Sequence, residues 1–323
     1  MTAPGEPVAA VDCGTNSTRL LVLGGGGERL ERRMVITRLG AGVDRTGALS
    51  GEAVERTLAV LVQYRQLLDR HHVAASHLRA AATSAARDAS NAADFLDPAE
   101  AILGRRPEVI EGEEEGRLSY LGATAGLDPR GGPYLVVDIG GGSTELILGR
   151  SPESSSEAAG PAAVVSLDIG CVRLAERFLH HDPPGPDELA AAHEAVRSLV
   201  GAVRDGGSFS GGRRLVGLAG TVSALTVMAL GLDRFVEEKV HHARVDRRQV
   251  RELAARLASL PLEERRRVRG MEPERADVIV GGAIVLEEVM DAFSFGELTT
   301  SESDILDGLA AELRGRSAGG GAV

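Results

Sequence analysis

The sequence predicts an α/β protein of two lobes, each a mixed sheet covered by helices, and three observations carry that expectation. One motif occurs twice without gaps, as Val11-Asp-Cys-Gly-Thr-Asn-Ser-Thr-Arg-Leu-Leu21 and as Val137-Asp-Ile-Gly-Gly-Gly-Ser-Thr-Glu-Leu-Ile147. Strand-like and helix-like segments alternate after each copy, the pattern of sheets with covering helices. The 323 residues are enough for two hydrophobic cores of ordinary size.

Each copy of the motif reads as a β-hairpin with a tip of small residues: an apolar run ending in Asp, a turn, and a second apolar run (Leu20 to Leu23; Leu146 to Leu148). Behind the first copy, a helical period runs from Glu52 to about His72, with Val54, Leu58, Leu61, Leu67 and Leu68 on or near one face. A strand at Leu78 to Thr83 follows, then a helix from Asn91 to Leu103, a short strand at Glu108 to Ile110 and a helix from Glu113 to about Ala125. The turn-rich stretch Gly126 to Pro133 separates the lobes. The second lobe repeats the pattern with strands at Ala163 to Leu167 and Leu215 to Leu218. Its helices are expected at Val172 to Leu179, at Asp187 to Val203, and from about Thr221, Arg247 and Arg275. Ser151 to Pro161 and Asp205 to Gly212 read as loops, and 315–323 as a flexible tail.

A formal net charge of −11 argues against a nucleic-acid partner, since no basic patch offsets it; the Arg-rich run Glu263 to Arg269 interleaves with Glu and reads as a solvated turn. An anionic ligand stays compatible with this charge, because a site of metal and backbone N–H groups needs no basic surface. Two isolated cysteines, Cys13 and Cys171, lack metal-ligand spacing and suggest a reducing compartment. No apolar run reaches the length of a membrane span, and the first residues lack a signal-peptide pattern. A cytoplasmic protein without membrane association is expected.

The hairpin tips carry the chemistry. Gly14, Thr15, Asn16, Ser17 and Thr18 in one copy, and Gly140, Gly141, Gly142, Ser143 and Thr144 in the other, let the backbone approach an anion and direct N–H groups at it. Asp12 and Asp138, at the strand ends, are placed to hold a hydrated cation beside that anion. For Asp12 the alternative is a turn-stabilising aspartate. Arg19 stands where the other copy has Glu145, so it either faces the same anion or pairs with Glu145. The turn at Gly220 and Thr221 opens a helix after a buried strand, which makes either an anion-binding N-terminus or a capped helix start.

With these residues in view, the sequence resembles the exopolyphosphatase/guanosine pentaphosphate phosphohydrolase (Ppx/GppA) family from Val8 to Leu313. Besides the hairpins, the likeness rests on Ala81-Ala-Thr-Ser-Ala-Ala-Arg87, Ile110-Glu-Gly-Glu-Glu-Glu-Gly-Arg-Leu118, Ser166-Leu-Asp-Ile-Gly-Cys-Val-Arg-Leu174, Gly217-Leu-Ala-Gly-Thr-Val-Ser-Ala-Leu225 and Arg275-Ala-Asp-Val-Ile-Val-Gly-Gly282. The resemblance implies two ribonuclease-H-like lobes of the actin-like ATPase superfold with the active site in the cleft between them. Lobe I would span 1–128, lobe II 129–302, and a closing helix over 303–314 would pack on lobe I.

It further implies an exopolyphosphatase that hydrolyses terminal phosphate from polyphosphate. Glu114 would be the general base, Arg87 a contact to the transferred phosphate, and Asp12, Asp138 and Glu145 the ligands of Mg²⁺ or Mn²⁺. For Glu113 a role as a helix-start acid is preferred; Arg87 could otherwise be a surface residue paired with Asp88. Hydrolysis of guanosine pentaphosphate or a nucleoside triphosphate is the alternative activity, ahead of a superfold kinase or a non-catalytic polyphosphate or alarmone sensor. Longer family members append a helical C-terminal region that this sequence lacks, so short chains are the expected substrates. A homodimer is expected from the family alone.

Overall fold

The computed structural model describes residues 5–149 and 161–319; of the loop expected from Ser151 to Pro161 all but Pro161, which opens a strand, and residues 320–323 of the expected tail lie outside the described residues. The chain divides into two contact units, one of residues up to Gly122 together with those from Ile305 onward, the other Ala123–Asp304. The chain therefore leaves the first unit at Gly122, ahead of the boundary expected at 128.

The first unit holds β1 (Val8–Cys13), β2 (Ser17–Leu23), β3 (Arg29–Ile36), β4 (Leu78–Ala82) and β5 (Glu108–Val109). Their order is β3-β2-β1-β4-β5; β2 is antiparallel to both neighbours, while β1, β4 and β5 run parallel. The sequence reading contains no β3, because this edge strand is largely exposed and rich in arginine, and it lacks the apolar alternation of a half-buried strand.

Alternation along β1 decides what covers each face. Ala9, Val11 and Cys13 turn to the helices Gly51–Arg70 and Ala93–Leu103, where Leu61, Tyr64, Leu68, Phe95 and Leu103 complete a core. Ala10 turns the other way and meets Leu21, Ala81, Ile110, Leu118 and, from the closing helix Ile305–Gly319, Ile305, Leu306, Leu309 and Ala310. Asp12 follows Ala10 onto this second face, the face of the helix Gly112–Thr124. The closing helix runs on to Gly319, so the first part of the expected tail is helical.

The second unit builds the same sheet from β6 (Tyr134–Ile139), β7 (Thr144–Gly149), β8 (Pro161–Leu167), β9 (Arg214–Leu218), β10 (Arg244–Asp246) and β11 (Glu297–Thr300). The order β8-β7-β6-β9-β11, with β6, β9 and β11 parallel, repeats that of the first unit, and β10 adds an antiparallel edge. Each unit is a ribonuclease-H-like lobe, the kind from which actin-like ATPases are built. The helix Ile279–Ala292 is apolar on almost every side and is buried accordingly. It begins later than expected, since Pro273–Arg275 forms a 3₁₀ turn.

Arg265 corrects the reading of the Arg-rich run. Its side chain is buried, and it donates to the carbonyls of Leu257, Leu260 and Ala276, each at 2.9 Å. It thereby ties the end of the helix Arg247–Ser259 to the turn before Ile279. Arg265→Ala leaves these buried acceptors without their donor, and we expect a loss of about 3 kcal/mol or more in a urea titration. A change below 1 kcal/mol would refute this role.

No helix among the described residues is long and apolar enough to cross a membrane. Cys13 and Cys171 are free and buried.

Candidate active site

The two hairpins have the same inner geometry. Gly14 N–H donates to the Ser17 carbonyl and Gly140 N–H to the Ser143 carbonyl, both at 3.0 Å. The tips are then turned by what takes their carbonyls. In the first unit, Thr15 O accepts from Gly40 N–H at 2.9 Å, and Asn16 O from Thr37 and Arg38 N–H at 3.1 and 2.9 Å. In the second, Gly140 O accepts from Cys171 N–H at 3.0 Å, and Gly141 O from Val172 and Arg173 N–H at 2.9 and 3.1 Å. A trans peptide directs its N–H opposite its C=O. The N–H groups of Asn16 and Ser17, and those of Gly141 and Gly142, are therefore aimed away from the packed side, as an anion cradle requires.

Two residues assigned to the cradles belong to its support instead. Thr18 is fully buried, its hydroxyl is 2.9 Å from that of Thr37, and its carbonyl accepts from Tyr64 OH at 2.8 Å. Thr144 is likewise buried and donates to the Ile169 carbonyl at 2.6 Å. Thr18 is the second residue of β2 and Thr144 the first of β7, and at both positions the side chain turns inward. Ser143 and Thr15 are also buried, so it is the backbone of the tip that offers contacts. Gly170, which the sequence analysis quotes within the Ser166 to Leu174 motif without a role, explains how the second tip is held. A Cβ there would lie 2.6 Å from the carbonyl oxygen of Gly141 and 2.7 Å from that of Gly140.

The cross-strand partners of the aspartates separate the two hairpins. Asp138 faces Glu145 directly in the β6–β7 register, and both are buried, with Ser166 Oγ donating to Glu145 at 2.7 Å. Direct partners stand about 5 Å apart at Cβ, so two hard carboxylate donors lie side by side, and the pair fits Mg²⁺ or Mn²⁺ completed by phosphate oxygens and water. Asp12 faces Arg19 instead, which donates to Asp12 Oδ2 through Nε at 2.9 Å and Nη2 at 2.6 Å. Arg19 thus takes one oxygen of Asp12, within its own hairpin. Among the described residues no group of three or more His, Cys, Asp or Glu is gathered for a metal.

At the same end of the first sheet, the helix Ser84–Asp88 opens after β4, and Thr83 N–H reaches Cys13 O at 3.4 Å. Arg87, on that helix, donates to the Ile110 carbonyl at 2.9 Å and stands 3.6 Å from Glu115 Oε2. Asp88 is engaged by Ser84 rather than by Arg87.

Glu114, the base that the resemblance implies, is engaged by two arginines. Arg117 grips both its oxygens, at 2.7 and 2.8 Å, and Arg79 Nη2 lies 3.7 Å away. Arg79 pairs in register with Ala10, two residues or about 7 Å down the sheet from Asp12. The hydrogen bond from Arg117 holds the Glu114 carboxyl below its ordinary value, opposed by burial and assisted by the charges of Arg117 and Arg79. Glu113 is exposed at the helix start, as a dipole-complementing acid should be. The carboxylate beside Arg87 is that of Glu115, with 13% of its side chain exposed.

In the second unit, Thr221 lies inside the helix Ala219–Ala229 and does not cap it. It is buried and hydrogen-bonded with Cys171, whose thiol burial pushes up to about 11. Gly220 lies against Arg275, where a Cβ would come within 1.8 Å of Nη1. Arg173 stands 3.4 Å from Asp168.

Comparison with known proteins adds the following. The profile of the Ppx/GppA phosphatase family matches residues 24–315. An exopolyphosphatase 2 of Mycobacterium tuberculosis is 42% identical, over 95% of this chain and 98% of its own. The crystal structure of the Aquifex aeolicus member of the Ppx/GppA family has a TM-score of 0.79 at 31% identity, covering 98% of this chain and 99% of its own. That of an exopolyphosphatase from Cytophaga hutchinsonii has a TM-score of 0.86 at 27% identity, covering 96% and 98%.

Proposed function

The chain belongs to the Ppx/GppA phosphatase family, and we propose that it is an exopolyphosphatase in which Glu115 activates the attacking water. The observation that supports this best is the Glu115–Arg87 pair, set at the strand ends where the first hairpin turns its N–H groups outward. Two of the similar proteins are named exopolyphosphatases, which favours inorganic polyphosphate over a nucleotide.

In this reading the hairpin N–H groups hold the phosphate chain, and the Arg87 fork lies on the equatorial oxygens of its terminal phosphoryl. Glu115 accepts a proton from water as the water oxygen bonds to phosphorus. The bond from that phosphorus to the bridging oxygen breaks, and orthophosphate and a chain shorter by one are released. Asp138 and Glu145 would hold the divalent cation, which when bound neutralises charge on the phosphate oxygens. Because phosphoryl transfer has a loose transition state, positioning and charge carry most of the catalysis.

Orthophosphate release should be measured with Mg²⁺ on polyphosphates of several lengths, guanosine pentaphosphate and ATP. We expect polyphosphate to give the highest kcat/KM. Faster release from either nucleotide would overturn the substrate assignment, and ADP formation only in the presence of an organic acceptor would indicate a kinase.

A further inference from the structure

The helix Gly112–Thr124, which carries Glu115, is gripped along one side by the closing helix Ile305–Gly319. At Gly308 the approach is backbone to backbone: a Cβ there would lie 2.2 Å from the Leu118 carbonyl oxygen and 2.8 Å from its carbon. One turn further, on the same face of the closing helix, Glu312 meets Arg117 and Arg79. These are the two arginines that take Glu114, and Arg79 also reaches Glu108 at 3.2 Å. Two guanidiniums thus join three carboxylates from β4, β5 and two helices.

Successive helical residues differ in direction by about 100°. Whatever holds Glu114, Arg117 and Leu118 on one side therefore sets where Glu115 is aimed. Three adjacent carboxylates at a helix start also repel one another, and here Glu114 is drawn to Arg117 and Arg79 while Glu115 is left beside Arg87.

We propose that the closing helix is a positioning element for the general base: Gly308 fixes how near the two helices come, and Glu312, through Arg117, Arg79 and Glu114, fixes the rotation that presents Glu115 to Arg87. This rests on the assignment of Glu115 given above. Arg79 is buried, but Glu312→Gln keeps an amide oxygen as acceptor for both arginines, and Glu108 and Glu114 still neutralise Arg79. The Glu312–Arg117 pair is partly exposed and adds little to stability. A misplacement of about 1 Å at a reacting group costs about 10²-fold in rate. Loss of Glu312 should accordingly be read in turnover and hardly in melting.

The test compares Glu312→Gln, Glu312→Asp, Glu114→Gln, Asp307→Asn and Glu115→Gln in the full chain, with steady-state kinetics on polyphosphate and a melting curve for each. Asp307 lies on the same helix and pairs with Arg32 of β3 at 2.9 Å, so it controls for loosened docking. We expect Glu312→Gln to lower kcat by about 10- to 100-fold with KM within about twofold and Tm within about 2 °C. Glu312→Asp should recover part of that loss, Asp307→Asn should keep kcat, and adding Glu114→Gln to Glu312→Gln should cost no more than the worse single change. An unchanged kcat in Glu312→Gln, or a fall that Asp307→Asn shares in proportion to Tm, overturns the proposal while a dead Glu115→Gln upholds the base. Should Glu115→Gln keep full turnover, the base assignment fails and this inference with it.

Discussion

Glu115→Gln is expected to lower kcat on polyphosphate by about 10³-fold, within the range that a general base supplies, with the melting temperature almost unchanged. The amide keeps the volume and an acceptor oxygen near Arg87 but cannot take the proton of the attacking water. Glu114→Gln should be milder by at least an order of magnitude. Arg117 already occupies both oxygens of Glu114 and depresses its proton affinity, which makes this group the weaker base in the proposed reading. Phosphate release by the two variants, with the fold checked by circular dichroism, decides between them. Equal losses, or a larger loss for Glu114→Gln, would return the base to the residue that the sequence favoured.

The one-residue difference between the base that the resemblance implies and the one proposed is a difference of helix rotation. The motif around Glu113, Glu114 and Glu115 locates a helix start rich in acid, and the structure puts a helix there. Which acid faces the chemistry is a question of rotation, and adjacent residues point about 100° apart. A signal was present: Glu115 is followed at four and seven residues by Ser119 and Gly122, both buried, whereas Glu114 is followed at three by Arg117. Small residues in that stripe mark a face packed against other chain. The phase of Glu114, by contrast, depends on Arg79 and Glu312, which lie far from it in sequence.

The fold was legible for a related reason. An ungapped repeat of Asp, Gly, Ser, Thr and Leu forces two equivalent hairpins, and both appear with the same 3.0 Å bond across the tip. The strands missing from the reading, β3, β10 and β11, are either charged and exposed or only three to four residues long. Their pairing comes from neighbours rather than from their own pattern. Arg265 was misread because the three carbonyls that bury it come from segments on both sides of the Arg-rich run.

Asp138→Asn and Glu145→Gln should each lower kcat by about 10²-fold or more, by analogy with the loss of a transition-state donor, and should remove the stabilisation that Mg²⁺ gives the wild-type protein. A ligand present at about 100 times its Kd stabilises by about 2.7 kcal/mol, which in a chain of this size corresponds to a rise of about 4 °C. The melting shift therefore reports metal binding without reference to turnover. Asp12→Asn is the informative contrast, because one oxygen of Asp12, Oδ2, is taken by Arg19, while Asp138 has a second carboxylate as its cross-strand partner. We expect Asp12→Asn to keep the Mg²⁺-dependent shift while weakening the hairpin that Arg19 braces. If the shift vanishes with Asp12 and survives the loss of Asp138 and Glu145, the cation belongs to the first hairpin, and the division of labour between the two copies of the motif is the reverse of the one argued above.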